Sequence, residues 1–275
     1  MSTAQTLLLG ALAGVTIFLG LPMARMRGVP AQLKAFLTAT ATGILLFLFW
    51  DVVSEAIEPV EEALDARHWG RFSGITAIAL AGFVVGLMSL VYYDSWMKAR
   101  QRRAMLGPGA ASAAEFTSQR PGLSAAQWLA VFIATGIGLH NFSEGLAIGQ
   151  SAAQDLKSLA FVLVIGFGLH NATEGFGIVG PLTGEAEPPS WRFLGMLGLI
   201  GGAPTFIGTL IGHSWTSENL SVAFFTLAAG SILYVIIELL NVCRTFGTKH
   251  LTAWGLILGL VLGFGTDFIL HASGI

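Results

Sequence analysis

Apolar residues fall along the chain in eight long runs, near 4–22, 31–57, 70–94, 124–151, 156–180, 191–213, 219–242 and 251–272, each closed by a short polar or Gly/Pro-containing break. A bilayer core takes about 20 mostly apolar residues per helical crossing. Backbone polar groups in hydrocarbon must be satisfied within their own segment, so runs of this length predict α-helices rather than open strands. The pattern predicts an all-α integral membrane protein with eight transmembrane helices, residues 1–275 forming a single domain. The longest stretch without apolar periodicity, 95–123, opens on a basic cluster and continues through Gly, Pro, Ala and Ser, which predicts a flexible linker between the third and fourth helices.

Composition agrees with a lipid environment. Apolar residues make up 54% and charged residues 11%, against about 25% charged in soluble domains. The 35 glycines suit close helix contact in lipid, and the single Cys243 rules out an internal disulfide framework. A net charge of -2 with no basic stripe gives no basis for a nucleic-acid partner. The first run has no Lys or Arg ahead of it, whereas Arg25 and Arg27 follow, so it is expected to be a retained helix rather than a signal peptide. With both termini outside, eleven of the 14 Lys and Arg residues fall in inner breaks and only Arg67, Arg71 and Lys157 in outer ones. Positive-inside bias therefore predicts outward termini. The break after the second run carries Glu58, Glu61, Glu62 and Asp65 and reads as a solvated acidic outer loop able to attract cations.

An internal repeat carries the chemistry. Residues 137–149 read IGLHNFSEGLAIG and residues 167–179 read FGLHNATEGFGIV, a spacing of 30. Each copy lies inside a predicted helix, and the spacing leaves one crossing plus a short turn, so the two copies sit at similar depth. Within a copy, His and Glu are four apart and share one helical face. His140, Glu144, His170 and Glu174 thus offer two imidazoles and two carboxylates, a set that suits Zn²⁺ and also serves Fe²⁺, Mn²⁺, Co²⁺ or Ni²⁺. A carboxylate in hydrocarbon is costly unless paired or wet, and a bound cation supplies the compensation. The plainer reading is a pair of helices joined by His, Asn and Glu hydrogen bonds. Asn141 and Asn171 either give amide oxygens to a neighbouring second ion or serve as structural hydrogen-bonding groups. A metal-dependent intramembrane hydrolase is the competing class, but no H-E-x-x-H occurs and the symmetric doubling leaves no spare carboxylate as a base. A non-transporting metal-binding membrane protein is a third.

At these residues the chain resembles the ZIP (Zrt-, Irt-like) family of divalent metal-ion transporters, bacterial type, whose fourth and fifth helices carry this H-N-x-x-E-G motif. The resemblance covers nearly the whole chain and implies a ZIP-like bundle with the metal site between those helices. It implies Zn²⁺ uptake into the cytoplasm, with Fe²⁺, Mn²⁺, Co²⁺ and Cd²⁺ as further candidate ions, by an elevator-type motion in a homodimer. It implies no enzyme activity. The expected place is the cell membrane, the inner one in a Gram-negative source. His140, Glu144, His170 and Glu174 would be the primary ligands and Asn141 and Asn171 part of a neighbouring site. Asp51, Glu55 and Glu238 fall in stretches where the family often has acidic groups and are expected either to line the ion's path or to make interhelical hydrogen bonds, while Asp267, at the outer end of the last helix, is expected as an entrance ligand on that path or, in preference, an interfacial cap. Three departures stand out. Ser143 and Thr173 replace the prolines usual before each motif Glu, and Ser54 replaces a third. Ala203–Pro204 stands where a sixth-helix Glu–Pro is common, which predicts one principal ion rather than a full binuclear centre. The linker lacks a histidine-rich tract.

Overall fold

The computed structural model describes residues 1–25, 30–106, 123–184, 187–246 and 248–272. Among them it contains no strand and eight long helices: α1 (Thr3–Val15), α2 (Ala31–Asp65), α3 (Trp69–Leu106), α4 (Ala125–Ala153), α5 (Lys157–Val179), α6 (Trp191–Ser214), α7 (Glu218–Phe246) and α8 (Lys249–Ala272). Counting the turns that continue α1 to Arg25, all eight are long and apolar enough to cross a membrane.

Three boundaries depart from the apolar pattern. The first run does not stay α-helical to its end. After Val15 the winding tightens into the 3-10 segments Thr16–Leu19 and Leu21–Arg25. The Thr16 hydroxyl donates to the Ala13 carbonyl at 2.7 Å, and the Gly20 N–H to the Ile17 carbonyl at 3.1 Å. This segment lies flush on α5, where a Cβ on Gly20 would overlap the Ala172 carbonyl oxygen. The second run continues through Pro59 to Asp65, so the acidic stretch is helical rather than a loop, and Arg71 sits 2.8 Å from Glu218 and 3.5 Å from Glu62. The third helix runs on to Leu106. Its polar end, KARQRRAML, is built of good helix formers. Residues 95–106 therefore belong to a helix and not to a flexible linker; 107–122 lie outside the described residues.

The two motif helices form a tight antiparallel hairpin. Gln154 caps α4, Asp155 takes a left-handed conformation (φ 61°), and the Leu156 N–H donates back to the Ser151 carbonyl at 2.9 Å. This is the usual closure of a helix end. The Asp155 carboxylate lies 3.2 Å from the Met1 ammonium, whose hydrogen bond, with the nearby Lys157 charge, holds its carboxyl below the ordinary range.

The helices pack as two groups: α1, α4, α5 and α6, and α2, α3, α7 and α8. Within each group backbones touch where glycine removes the side chain. A Cβ on Gly145 of α4 would fall on the Thr205 carbonyl oxygen of α6, and one on Gly43 of α2 would meet the Leu256 carbonyl of α8. Between groups, glycine meets side chains instead: Gly166 of α5 receives Leu48 of α2, and Gly136 of α4 receives the Tyr93 ring of α3. At the end of the bundle where α1 and α5 begin, here the termini side, both groups share a packed core that includes Leu48, Val52, Ile148, Leu163, Phe167 and Phe225. The opposite end, where α3 finishes and α4 begins, is the linker side.

Candidate metal centre

His140 and Glu144 project from the middle of α4, and His170 and Glu174 from the middle of α5. All four are buried. His140 Nε2 lies 2.9 Å from Glu174 Oε1, and His170 Nε2 lies 3.1 Å from the same oxygen. The His170 contact lacks hydrogen-bond geometry, since both ring nitrogens of His170 are without a hydrogen-bond partner. Two such atoms this close without a shared proton are compatible with ligation of a common centre. In a tetrahedral Zn²⁺ shell with bonds of about 2.0–2.1 Å, neighbouring ligand atoms are about 3.3 Å apart. The ligand atoms of His140, His170 and Glu174 all lie within 4.8 Å of one another.

Glu144 stands off from this trio, its Oε1 3.8 Å from His140 Nε2, and neither of its carboxylate oxygens has a hydrogen-bond partner. A carboxylate so placed weakens a metal-free bundle and favours one holding a cation. Glu144→Gln is therefore expected to stabilise the metal-free protein by on the order of 1–3 kcal/mol and to shrink the stabilisation that Zn²⁺ confers. Melting in detergent, with chelator and then with Zn²⁺, checks both. A lower melting point than the parent's in chelator would contradict the first part.

The two asparagines are held by main-chain carbonyls of the neighbouring helices. Asn141 Nδ2 donates to the Gly201 carbonyl of α6 at 2.9 Å, and Asn171 Nδ2 to the Ala13 carbonyl of α1 at 3.0 Å. Each bond fixes the amide nitrogen on a neighbouring helix and leaves the oxygen free of that carbonyl. Asn141 Oδ1 lies 2.9 Å from His140 Nε2, as near as the Glu174 carboxylate, and Asn171 Oδ1 has no donor. Ala203, at the position that a sixth-helix Glu would take, is exposed on the outside of the bundle. Where proline is absent, α4 and α5 run unbroken through Ser143 and Thr173, and the Thr173 hydroxyl donates to the carbonyl of His170 at 2.7 Å.

A cavity of about 650 Å³ reaches the site from one direction. His140 and Glu174 lie at its deep end, and Met23, Met97 and Gly180 mark its course toward the linker side. Toward the termini side the shared apolar core packs between the site and that end of the bundle among the described residues. Of the four expected pathway residues, Glu238 lines this cavity, whereas Asp51, Glu55 and Asp267 do not. Asp51 instead lies near enough to Asp267 of α8 to feel its charge, on the closed side. Sequence reasoning did not single out Asp94, Tyr93 and Tyr234, which also line the cavity. The one available signal was Asp94, a charge at the end of an apolar run.

No family model matches the chain. Among curated proteins it is similar to "Zinc transporter ZupT" of Chlorobium luteolum, 28% identical over 266 residues that cover 93% of this chain and 94% of that one. It is also similar to "Zinc transporter ZupT" of Chlorobium chlorochromatii, 35% identical over 139 residues; that match spans 49% of this chain and about half, 51%, of the relative.

Proposed function

We propose that this chain is a ZIP-type transporter that carries a divalent metal ion, Zn²⁺ foremost, across a membrane; the doubled motif, the eight-helix architecture and a relative named as a zinc transporter, similar over nearly its full length, support this reading. The observation that carries this reading is a buried His140–His170–Glu174 cluster at the closed end of a cavity, midway through a bundle of eight spanning helices. A site reachable from one side only is what alternating access requires. The ion is substrate, held by His140, His170 and Glu174, with Asn141 Oδ1 and Glu144 beside them. Mixed nitrogen and carboxylate ligands bind firmly enough to strip water yet release more readily than thiolates. Asp94 and Glu238 give acidic stops along the cavity.

The bias of Lys and Arg supports outward termini and hence a cavity that faces the cytoplasm; inward transport is the direction that the family resemblance implies. The moving part in this reading is the group α1, α4, α5 and α6, which carries every ligand. It is locked internally by backbone contacts at glycine and meets the other group through side chains such as Leu48 against Gly166, so sliding disturbs side chains rather than main chain. A homodimer is the assembly that fits the family.

Purified protein in liposomes is expected to take up Zn²⁺ above empty vesicles, and the His170→Ala/Glu174→Ala variant is not. Metal binding without uptake would sink the transporter reading. For the sliding step, a Leu48→Cys/Gly166→Cys pair is expected to stop uptake on oxidation and recover on reduction. Full transport by the cross-linked protein would rule out motion at this boundary. Competition by Fe²⁺, Mn²⁺, Co²⁺ and Cd²⁺ in the same vesicles ranks the ions.

A further inference from the structure

Gln150, near the end of α4 on the termini side, is fully buried. An amide in such surroundings is costly unless its hydrogen bonds are made, and here they are. Its Nε2 donates to the Gly212 and Trp215 carbonyls, each at 2.6 Å, and its Oε1 accepts from the Ser221 hydroxyl, also at 2.6 Å. The first two bonds tie α4 to the end of α6, inside one group. The third crosses to α7, in the other group, next to the apolar core that closes this side. Ser221 has an alternative acceptor in its own helix, the Ser217 carbonyl at 3.0 Å. Its single proton can turn to that carbonyl when Gln150 withdraws, and Gln150 Oε1 would then meet entering water. The contact can be broken without leaving the hydroxyl unsatisfied, unlike a bond made only for packing.

We infer that the Gln150–Ser221 hydrogen bond is a latch that keeps the termini side closed while the cavity is open on the linker side, and that it parts when the groups slide. This rests on the sliding reading. It predicts that removing the Ser221 hydroxyl shifts the population toward a form open on the termini side.

The test uses two reporters in a Cys243→Ser background, since Cys243 is the chain's one thiol. Val52→Cys sits fully buried in the closing core, and Gly177→Cys lines the cavity with no atom within 4 Å of the added Cβ. Each is labelled with a polar maleimide in detergent. Ser221→Ala is expected to raise the labelling rate at position 52 about fivefold, the usual net effect of one hydrogen bond, and to leave labelling at 177 unchanged or lower. Ser221→Thr, which keeps the hydroxyl, is expected to behave as the parent. The latch is overturned if Ser221→Ala leaves position 52 at the parental rate. It is also overturned if both reporters speed up together with a fall in melting temperature, which marks a purely structural bond, or if Ser221→Thr matches Ser221→Ala. The two readings fail separately. Full uptake by the oxidised 48–166 pair removes the sliding step itself, whereas blocked uptake with unchanged labelling at position 52 removes the latch alone.

Discussion

Replacing Glu174 by glutamine is expected to lower Zn²⁺ affinity more than any other single change at the site, by about a hundredfold or more. Glu174 Oε1 is the atom that both imidazoles face, 2.9 Å from His140 Nε2 and 3.1 Å from His170 Nε2. It is the one carboxylate in direct reach of both rings, because Glu144 is 3.8 Å from His140. Glutamine keeps the shape and one oxygen but removes the charge that offsets a dication where water does not screen it. Loss of a mere outer-shell partner typically costs 10–100-fold in metal affinity, so loss of the shared anionic ligand belongs above that range. His170→Ala, by contrast, leaves His140, Glu174 and the Asn141 oxygen together and is expected to cost less. Chelator competition on the purified protein measures both, with melting in chelator as the control for folding. Affinity within threefold of the parent's for Glu174→Gln would mean that the ion is held elsewhere.

That ranking was not available from the sequence, which presents Glu144 and Glu174 as equivalents. The doubled H-N-x-x-E-G pattern identified which side chains meet, because four-residue spacing and a 30-residue repeat are geometric statements about two antiparallel helices. The eight runs likewise located each of the eight spanning helices among the described residues, since hydrophobic length is a local property. What the pattern missed depends on distant main chain. The Ala13 carbonyl that orients Asn171 lies 158 residues away in the chain, and the Gly201 carbonyl that orients Asn141 lies 60 away. The tightening after Val15 follows from a fit against α5 at Gly175 that no periodicity encodes. The extension of α2 beyond Pro59 and of α3 to Leu106 escaped notice because helices outlast the hydrocarbon that apolar runs record. Gln150 looked like an ordinary polar residue at a helix end, and only its three partners from α6, the turn after it and α7 mark it out.

The second large effect belongs to Gly145, the residue after the motif glutamate, where Gly145→Val is expected to destabilise the protein by more than about 3 kcal/mol, the upper end of ordinary overpacking. The added Cβ would fall on the Thr205 carbonyl oxygen and crowd the Thr209 nitrogen, both of them α6 backbone with no rotamer to escape into. Gly208 faces it from the other side, its own Cβ position taken by the Phe142 carbonyl, so neither helix has room to give. Membrane helices associate largely through such close packing, and α6 would have to back away along the crossing. Moving α6 also moves the Gly201 carbonyl away from Asn141, which frees the amide to turn its nitrogen toward the cluster. The folded remainder is therefore expected to bind Zn²⁺ more weakly than the parent even though no ligand has changed. Gly177→Val, one helix away where an added Cβ meets nothing within 4 Å, is expected to leave stability near the parent's. Melting temperatures of the two variants in detergent compare the sites directly. A Gly145→Val loss as small as the one expected for Gly177→Val would mean that α4 and α6 can part cheaply, and the picture of a rigid ligand-carrying group would fall with that result.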